Sequence, residues 1–354
     1  MVFPKSRSRK VHDPAEKIAL SHFILRFAMG TTLGYTVCEF MGWQPSSLCA
    51  VLSGIMLAKL PVAPPFRVGV ALVLVMFVSA WIAYALSAWL YEAPHILFGV
   101  IGLILFLAFY GLAQAKAQLP LTLMLLCITI IPVLTLTYPD QAYRMAEVLS
   151  RAIGLAVINT WVMYAIWPRT PKIPQPLPQN ALNAPAATAL VGTLIVLPIM
   201  LVFWLFGLTD AMPVLLQVVL LVAKMEQERS SATAAAKLIS NFLGGFLGLA
   251  AYLIVGIAPT LASFALITFI LSVWFGIEIS KGGVRGSNAE LGFNATMVIF
   301  GLFLLKDDTN AGAWLARMVQ FFIGCSFAVG MMALLWPRLA KRRAQMPTAD
   351  PVPL

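Results

Sequence analysis

The feature that most narrows what this chain can fold into is a succession of apolar runs close to the length that crosses a bilayer as helix. They lie at roughly 18–40, 46–61, 67–90, 95–113, 119–137 and 145–167, then at roughly 186–207, 212–226, 236–257, 260–277, 289–306 and 313–336. A hydrocarbon core of about 30 Å needs about 20 helical residues. Lipid offers no partner to a backbone N–H or C=O, so isolated strands are excluded and the spans are helices. Composition agrees: 60% of the 354 residues are hydrophobic and 11% are charged, where a water-soluble domain carries about 25%. The expected fold is an all-α integral membrane protein with about 12 transmembrane helices. The second and eighth runs are the shortest, and they end on Lys59 and Lys224.

The net charge of +10 is distributed in a way that orients the chain rather than suggesting a nucleic-acid partner. Of the 24 Lys and Arg residues, 19 fall in the two tails, the central linker or the connections after even-numbered runs, Lys237 among them. The opposite connections hold only Arg144 and Lys306. The positive-inside rule then places both termini in the cytoplasm. The N-terminus shows no small-residue cleavage pattern and reads as an uncleaved basic tail over 1–17. A second tail covers 338–354.

Between the two sets of runs lies the proline-rich stretch Trp167 to Pro185, which disfavours helix and reads as a cytoplasmic linker over 168–185. It separates a first six-helix unit, 18–167, from a second, 186–337. Landmarks repeat across it. Gly42 and Lys59 return as Gly207 and Lys224, each 165 residues on, and Phe109-Tyr110-Gly111 with Lys116 returns as Trp274-Phe275-Gly276 with Lys281 at the same offset. The triplet Trp167-Pro168-Arg169 recurs 169 residues later as Trp336-Pro337-Arg338. An even number of spans per unit makes the two units parallel-oriented repeats, related by an axis along the membrane normal.

No nucleotide loop, zinc-protease helix or nucleophile elbow occurs, and His12, His22 and His95 are too dispersed for a metal centre. Cys38, Cys49, Cys127 and Cys325 are scattered without metal-ligand spacing. The expectation is no enzyme, no catalytic residue, no metal and no cofactor. The glycine-rich segment Lys281 to Ser287 reads as a cytoplasmic turn.

Charge inside an apolar run costs roughly 2.5–3.5 kcal/mol on insertion scales, so it marks either a path or a specific structural contact. Arg26 lies in the first run on a face with His22, Gly30 and Gly34, whose Gly-x-x-x-Gly step suits close helix packing. Arg151 follows Glu147 and Arg144 at one-turn spacing, which also suits a ladder of ion pairs. Arg317 lies at similar depth in the twelfth run. Arg26, Arg151 and Arg317, with the uncharged Asn159, Gln217 and Asn294, are the candidate substrate-binding residues; snorkelling arginines and helix–helix hydrogen bonds are the plain alternatives. Acidic residues read as confined to terminal turns, which leaves His22, Glu278 and Glu290, with Glu39, as the only candidates for proton coupling.

These residues resemble the fusaric acid resistance and aromatic acid exporter superfamily. The likeness rests on Arg26, on the turn Trp43-Gln44-Pro45-Ser46-Ser47, and on Pro64-Pro65-Phe66-Arg67-Val68-Gly69 opening the third run. It covers the first half well. Val191 and Ala232 stand where Arg26 and Arg67 would recur, so the second half follows only through the repeat. Exporters of that superfamily often carry large cytoplasmic domains, and this chain resembles a compact branch that has only the linker and a tail. The resemblance implies a bacterial inner-membrane exporter of aromatic or other organic acids, working with a periplasmic adaptor of the membrane-fusion type. The leading expectation is a secondary transporter of small organic anions with its path between the repeats. The alternatives are a passive anion channel and a non-transporting scaffold subunit for the adaptor. The implied partners are the lipid bilayer, the anion, the adaptor and a second copy of the chain.

Overall fold

The computed structural model describes residues 14–114, 117–173, 185–208, 212–225, 231–304 and 311–344, the side chains at 213, 224–225, 231–234, 303, 311–317 and 336–344 lying outside that description. The described residues form twelve α-helices and no strand: α1 Pro14–Phe40, α2 Ser47–Lys59, α3 Phe66–Trp89, α4 Pro94–Ala113, α5 Gln118–Thr137, α6 Pro139–Ile166, α7 Pro185–Leu205, α8 Met212–Met225, α9 Ser231–Ile257, α10 Leu261–Ser280, α11 Gly283–Leu304 and α12 Ala311–Ala344. Eight of them are long and apolar enough to cross a membrane, which fits a multi-pass membrane protein.

The helix ends follow from local chemistry. Pro94, Pro139 and Pro185 open α4, α6 and α7, where the missing N–H costs nothing. Gly42 and Gly207, with φ of 66° and 59°, turn the chain after α1 and α7 in a region that a side chain disfavours. Several helices start earlier than the apolar runs do. The sixth run was expected from about 145, and α6 begins at Pro139, because its opening turns carry the charged residues Asp140, Arg144 and Glu147. The expected turn Lys281 to Ser287 is a correction of the same kind: after Gly282 the chain is already helical, so polar residues there form the first turn of α11. Hydropathy marks the part of a helix that meets lipid, not its whole length.

Two short helices form the centre. Residues 47–57 of α2 are all buried, and so are 214–223 of α8 apart from what lies outside the description. At 1.5 Å per residue, the 13 residues of α2 reach about 20 Å, well short of a hydrocarbon core. Burial on every side explains why these two helices are apolar all round. Around them α2 packs on α11 and α5 on α8, while α1 packs on α10 and α4 on α7. Within the first six helices α3 lies against α5 and α6; within the last six α9 lies against α11 and α12. Outward faces are apolar, as on α3 with Leu74, Phe77 and Ile82.

Glycines set the closest approaches. A Cβ at Gly30 would fall 2.4 Å from Leu57 Cδ1, and one at Gly34 3.0 Å from Ser53 Oγ, so the Gly-x-x-x-Gly step of α1 does admit α2. Gly54 of α2 leaves room for the Phe293 ring of α11. Gly244 of α9 is tighter: a Cβ there would meet the Gly292 carbonyl oxygen of α11 at 2.2 Å.

Candidate functional site

Where the first and last six helices meet, a pocket lies between the opening turns of α2 and α8. Pro45, Ser47, Leu48 and Val51 line it from α2 and the turn before it, Met212 and Leu216 from α8, Ile130 from α5, Met145 from α6 and Val298 from α11. The shared pocket shows that α2, α6 and α8 start on the same face of the molecule. Its walls are almost wholly apolar, with the Ser47 hydroxyl among them. Each helix start carries a partial charge of about +0.5; at α2 the Ser46, Leu48 and Cys49 N–H groups are taken by Gln44 Oε1 and by the Pro45 and Ser46 carbonyls. At the start of α2, Ser46 Oγ donates a hydrogen bond to the Glu39 carboxylate. Behind Ser47, the Tyr35 hydroxyl is buried without a hydrogen-bond partner, and it and Ser47 Oγ lie 2.9 and 2.8 Å from the point where a Cβ on Gly301 would stand. Tyr35 is held there by edge-on packing against Phe264 and Phe300.

The arginines singled out by depth lie elsewhere. Arg26 is 1% exposed and faces the opposite end of the molecule, where its guanidinium donates to the Trp167 carbonyl at 2.9 Å and reaches the Arg169 carbonyl at 3.4 Å. It lies 3.8 Å from the centre of the Tyr164 ring, and Tyr164 in turn donates to the Leu60 carbonyl. A cation set on the carbonyls just past α6 faces the negative end of that helix and ties α1 to the start of the linker. Arg151 is exposed, paired with Glu147 and set over the Trp43 ring at 5.5 Å, so the Glu147–Arg151 step of the ladder read from spacing forms. Arg317 lies on α12, and its side chain is outside the described residues.

The buried amides divide into two groups. Asn159 of α6 donates to the Gly30 carbonyl at 2.5 Å and to Ser53 Oγ at 3.3 Å, joining α6 to α1 and α2. In the last six helices, Gln217 of α8 donates to Asn241 Oδ1 at 2.6 Å and reaches the Leu291 carbonyl of α11, while Asn241 donates to Cys325 Sγ of α12. Asn294 of α11 is fully buried, and neither its Oδ1 nor its Nδ2 has a hydrogen-bond partner; Gln217 Oε1 also lacks one.

Two charged residues depart from expectation. Lys237, expected in a connecting loop, is the seventh residue of α9 and 1% exposed. Glu290, expected in a terminal turn, is the eighth residue of α11 and 8% exposed. The stripe Lys237, Asn241, Gly244, Gly248 at helical spacing was the signal that α9 continues through Lys237. Glu278 does sit in the last turn of α10, held by Lys281 and Arg285. His22 is half-buried on α1, one turn from Arg26, with Nδ1 unpartnered.

Residues 23–163 match a family model described as Protein of unknown function (DUF2955). The matched stretch runs from α1 into α6 and contains Arg26, Trp43 to Ser47 and Pro64 to Gly69. No curated protein and no solved structure matches the chain.

Proposed function

We propose that the chain is an inner-membrane secondary transporter that exports small organic anions through the joint between two parallel six-helix repeats, 18–167 and 186–337. The duplication is supported by helix starts: α2, α3 and α5 begin at 47, 66 and 118, and α8, α9 and α11 begin 165 residues later at 212, 231 and 283. The packing is reciprocal in the same sense, α1 on α10 answering α7 on α4, and α2 on α11 answering α8 on α5. A family match that stops within α6 agrees with a six-helix unit. Lys and Arg placement supports cytoplasmic termini, and the motif likeness to aromatic acid exporters supports the bacterial inner membrane and a periplasmic adaptor as partner.

One observation carries the functional reading: an apolar pocket built from both halves, onto which two short buried helices direct their N-terminal ends. Short helices at matching positions of two repeats are the recurrent location of transporter sites, and a helix start is a ready anion site. At about 10 Å³ the pocket has room for one water, so it marks where a path between the halves would open, and its apolar walls suit a cargo whose remainder is a ring or short alkyl body. The arginines are not needed for this reading, since Arg26 and Arg151 are engaged by the chain itself.

The test is flux of phthalate, an aromatic dianion that does not leak as a neutral acid, in proteoliposomes of the full chain. Wild type equilibrates it, and Met145→Trp, which sets a ring at a half-buried wall of the pocket, abolishes the flux while the protein still melts as a folded one. Equal flux in the two proteins removes the pocket from the path. A wild type indistinguishable from empty vesicles removes the transport reading.

A further inference from the structure

The last six helices hold a buried polar column with no counterpart in the first six. On α9, Lys237 and Asn241 are one turn apart on one face; on α11, Glu290 and Asn294 are likewise one turn apart; Gln217 of α8 joins them through Asn241 and the Leu291 carbonyl. All five are at most 8% exposed. At the 165-residue offset the first half has Leu72, Met76, Leu125, Thr129 and Leu52, also buried, and only the threonine among them is polar. The scaffold therefore does not require polar groups at these places.

The column has a direction. Lys237 and Glu290 lie two turns inside α9 and α11 from their starts, and both are engaged within the protein. Asn294 is one turn below Val298, and Gln217 is next to Leu216, both of which line the pocket. Polar groups thus run from the end that holds the starts of α9 and α11 to the floor of the pocket. At its top, Asn294 and the Gln217 Oε1 remain without partners. Buried polar atoms left in that state are rare and call for water or a ligand to meet them.

We propose that this column is a proton-coupling site for the transport reading above, on which it rests: the Glu290 carboxylate takes up and releases the proton, Lys237 sets its charge state, and the amides of Gln217, Asn241 and Asn294 hold the water that connects it to the pocket. On uptake the Glu290 O–H bond forms as an O–H bond of a hydronium breaks, leaving water; on release the Glu290 O–H bond breaks as a water on the other side gains the proton, and no other bond changes. The other charged groups on the helices packed against α11 are Lys59 at the end of α2, Lys224 at the end of α8, whose side chain lies outside the described residues, and, at the end of α10, Glu278 with its partners Lys281 and Arg285. Among the described residues Lys237 and Glu290 are the two charged groups buried in the last six helices.

The experiment uses the full chain in proteoliposomes with phthalate, the membrane potential clamped at zero. Each pH unit imposed should hold about a tenfold phthalate gradient per coupled proton in wild type. Glu290→Gln should hold no gradient and carry phthalate downhill at a rate independent of pH, where the wild-type rate varies with it; Glu290→Asp should restore part of the gradient. A Glu290→Gln protein that still holds the gradient overturns the proposal, as does a wild type that carries phthalate downhill but ignores pH. Absence of downhill flux in every protein overturns the transport reading, and the coupling proposal falls with it.

Discussion

Replacing Arg26 by leucine separates a structural arginine from a cargo-binding one. The side chain is 1% exposed and spends its charge on the end of α6, with one good hydrogen bond to the Trp167 carbonyl, a longer one to Arg169, and a stack on Tyr164 at 3.8 Å. A hydrogen bond from a charged donor is worth about 1.5–3 kcal/mol, a desolvated cation over a ring about 2 kcal/mol, and a cation at a helix C-terminus about 0.3–1 kcal/mol. Leucine recovers part of this, because the guanidinium no longer has to be stripped of water. The expected net loss is about 3 kcal/mol, well above the ordinary cost of a substitution. Tryptophan fluorescence during heating in detergent should show Arg26→Leu melting several degrees below wild type, with Arg26→Lys in between. Phthalate flux per folded molecule should stay at the wild-type level. A leucine variant that melts like wild type but loses flux would refute the capping role and return Arg26 to the path.

Two further outcomes follow from helix contacts. Gly244→Ala places a methyl where the Gly292 carbonyl stands, 2.2 Å away and backbone rather than side chain, so α9 and α11 must part; a loss of about 2–3 kcal/mol is expected in the same melting assay, with Gly256→Ala, which meets nothing within 4 Å, as the control. Arg151→Ala removes an ion pair whose partners are 46% and 39% exposed, and it should shift stability by less than about 0.5 kcal/mol and leave flux unchanged.

Much of the architecture was legible because lipid imposes it. Each apolar run became a helix, but the count of about twelve spans included the short second and eighth runs, and eight helices are long and apolar enough to cross among the described residues. What the runs could not show was which charges enter the interior. Lys237 looked like a loop residue because the turns before it are rich in small residues and carry little hydropathy, yet it is buried on α9. Arg26 was legible as buried, but its partners are carbonyls 141 and 143 residues away, a relation that no local pattern encodes. Asn159 and Gln217 were named from type and depth alone; the fold assigns the first to knitting α1, α2 and α6 and the second to the polar column of the last six helices. The pocket itself follows from two opening turns that are far apart in sequence and adjacent only through the joint.

The central claim is that the joint between α2 and α8 is reached by water and cargo. Cysteine placed at Met145, a half-buried residue of the pocket wall, tests it directly, because the native cysteines are all buried and should contribute little background. A small membrane-impermeant methanethiosulfonate reagent should modify Met145→Cys, and phthalate should protect it, while Leu103→Cys on the apolar outer face of α4 stays unmodified. A Met145→Cys thiol that is as inert as the one at Leu103, or that reacts equally with and without phthalate, would contradict the account.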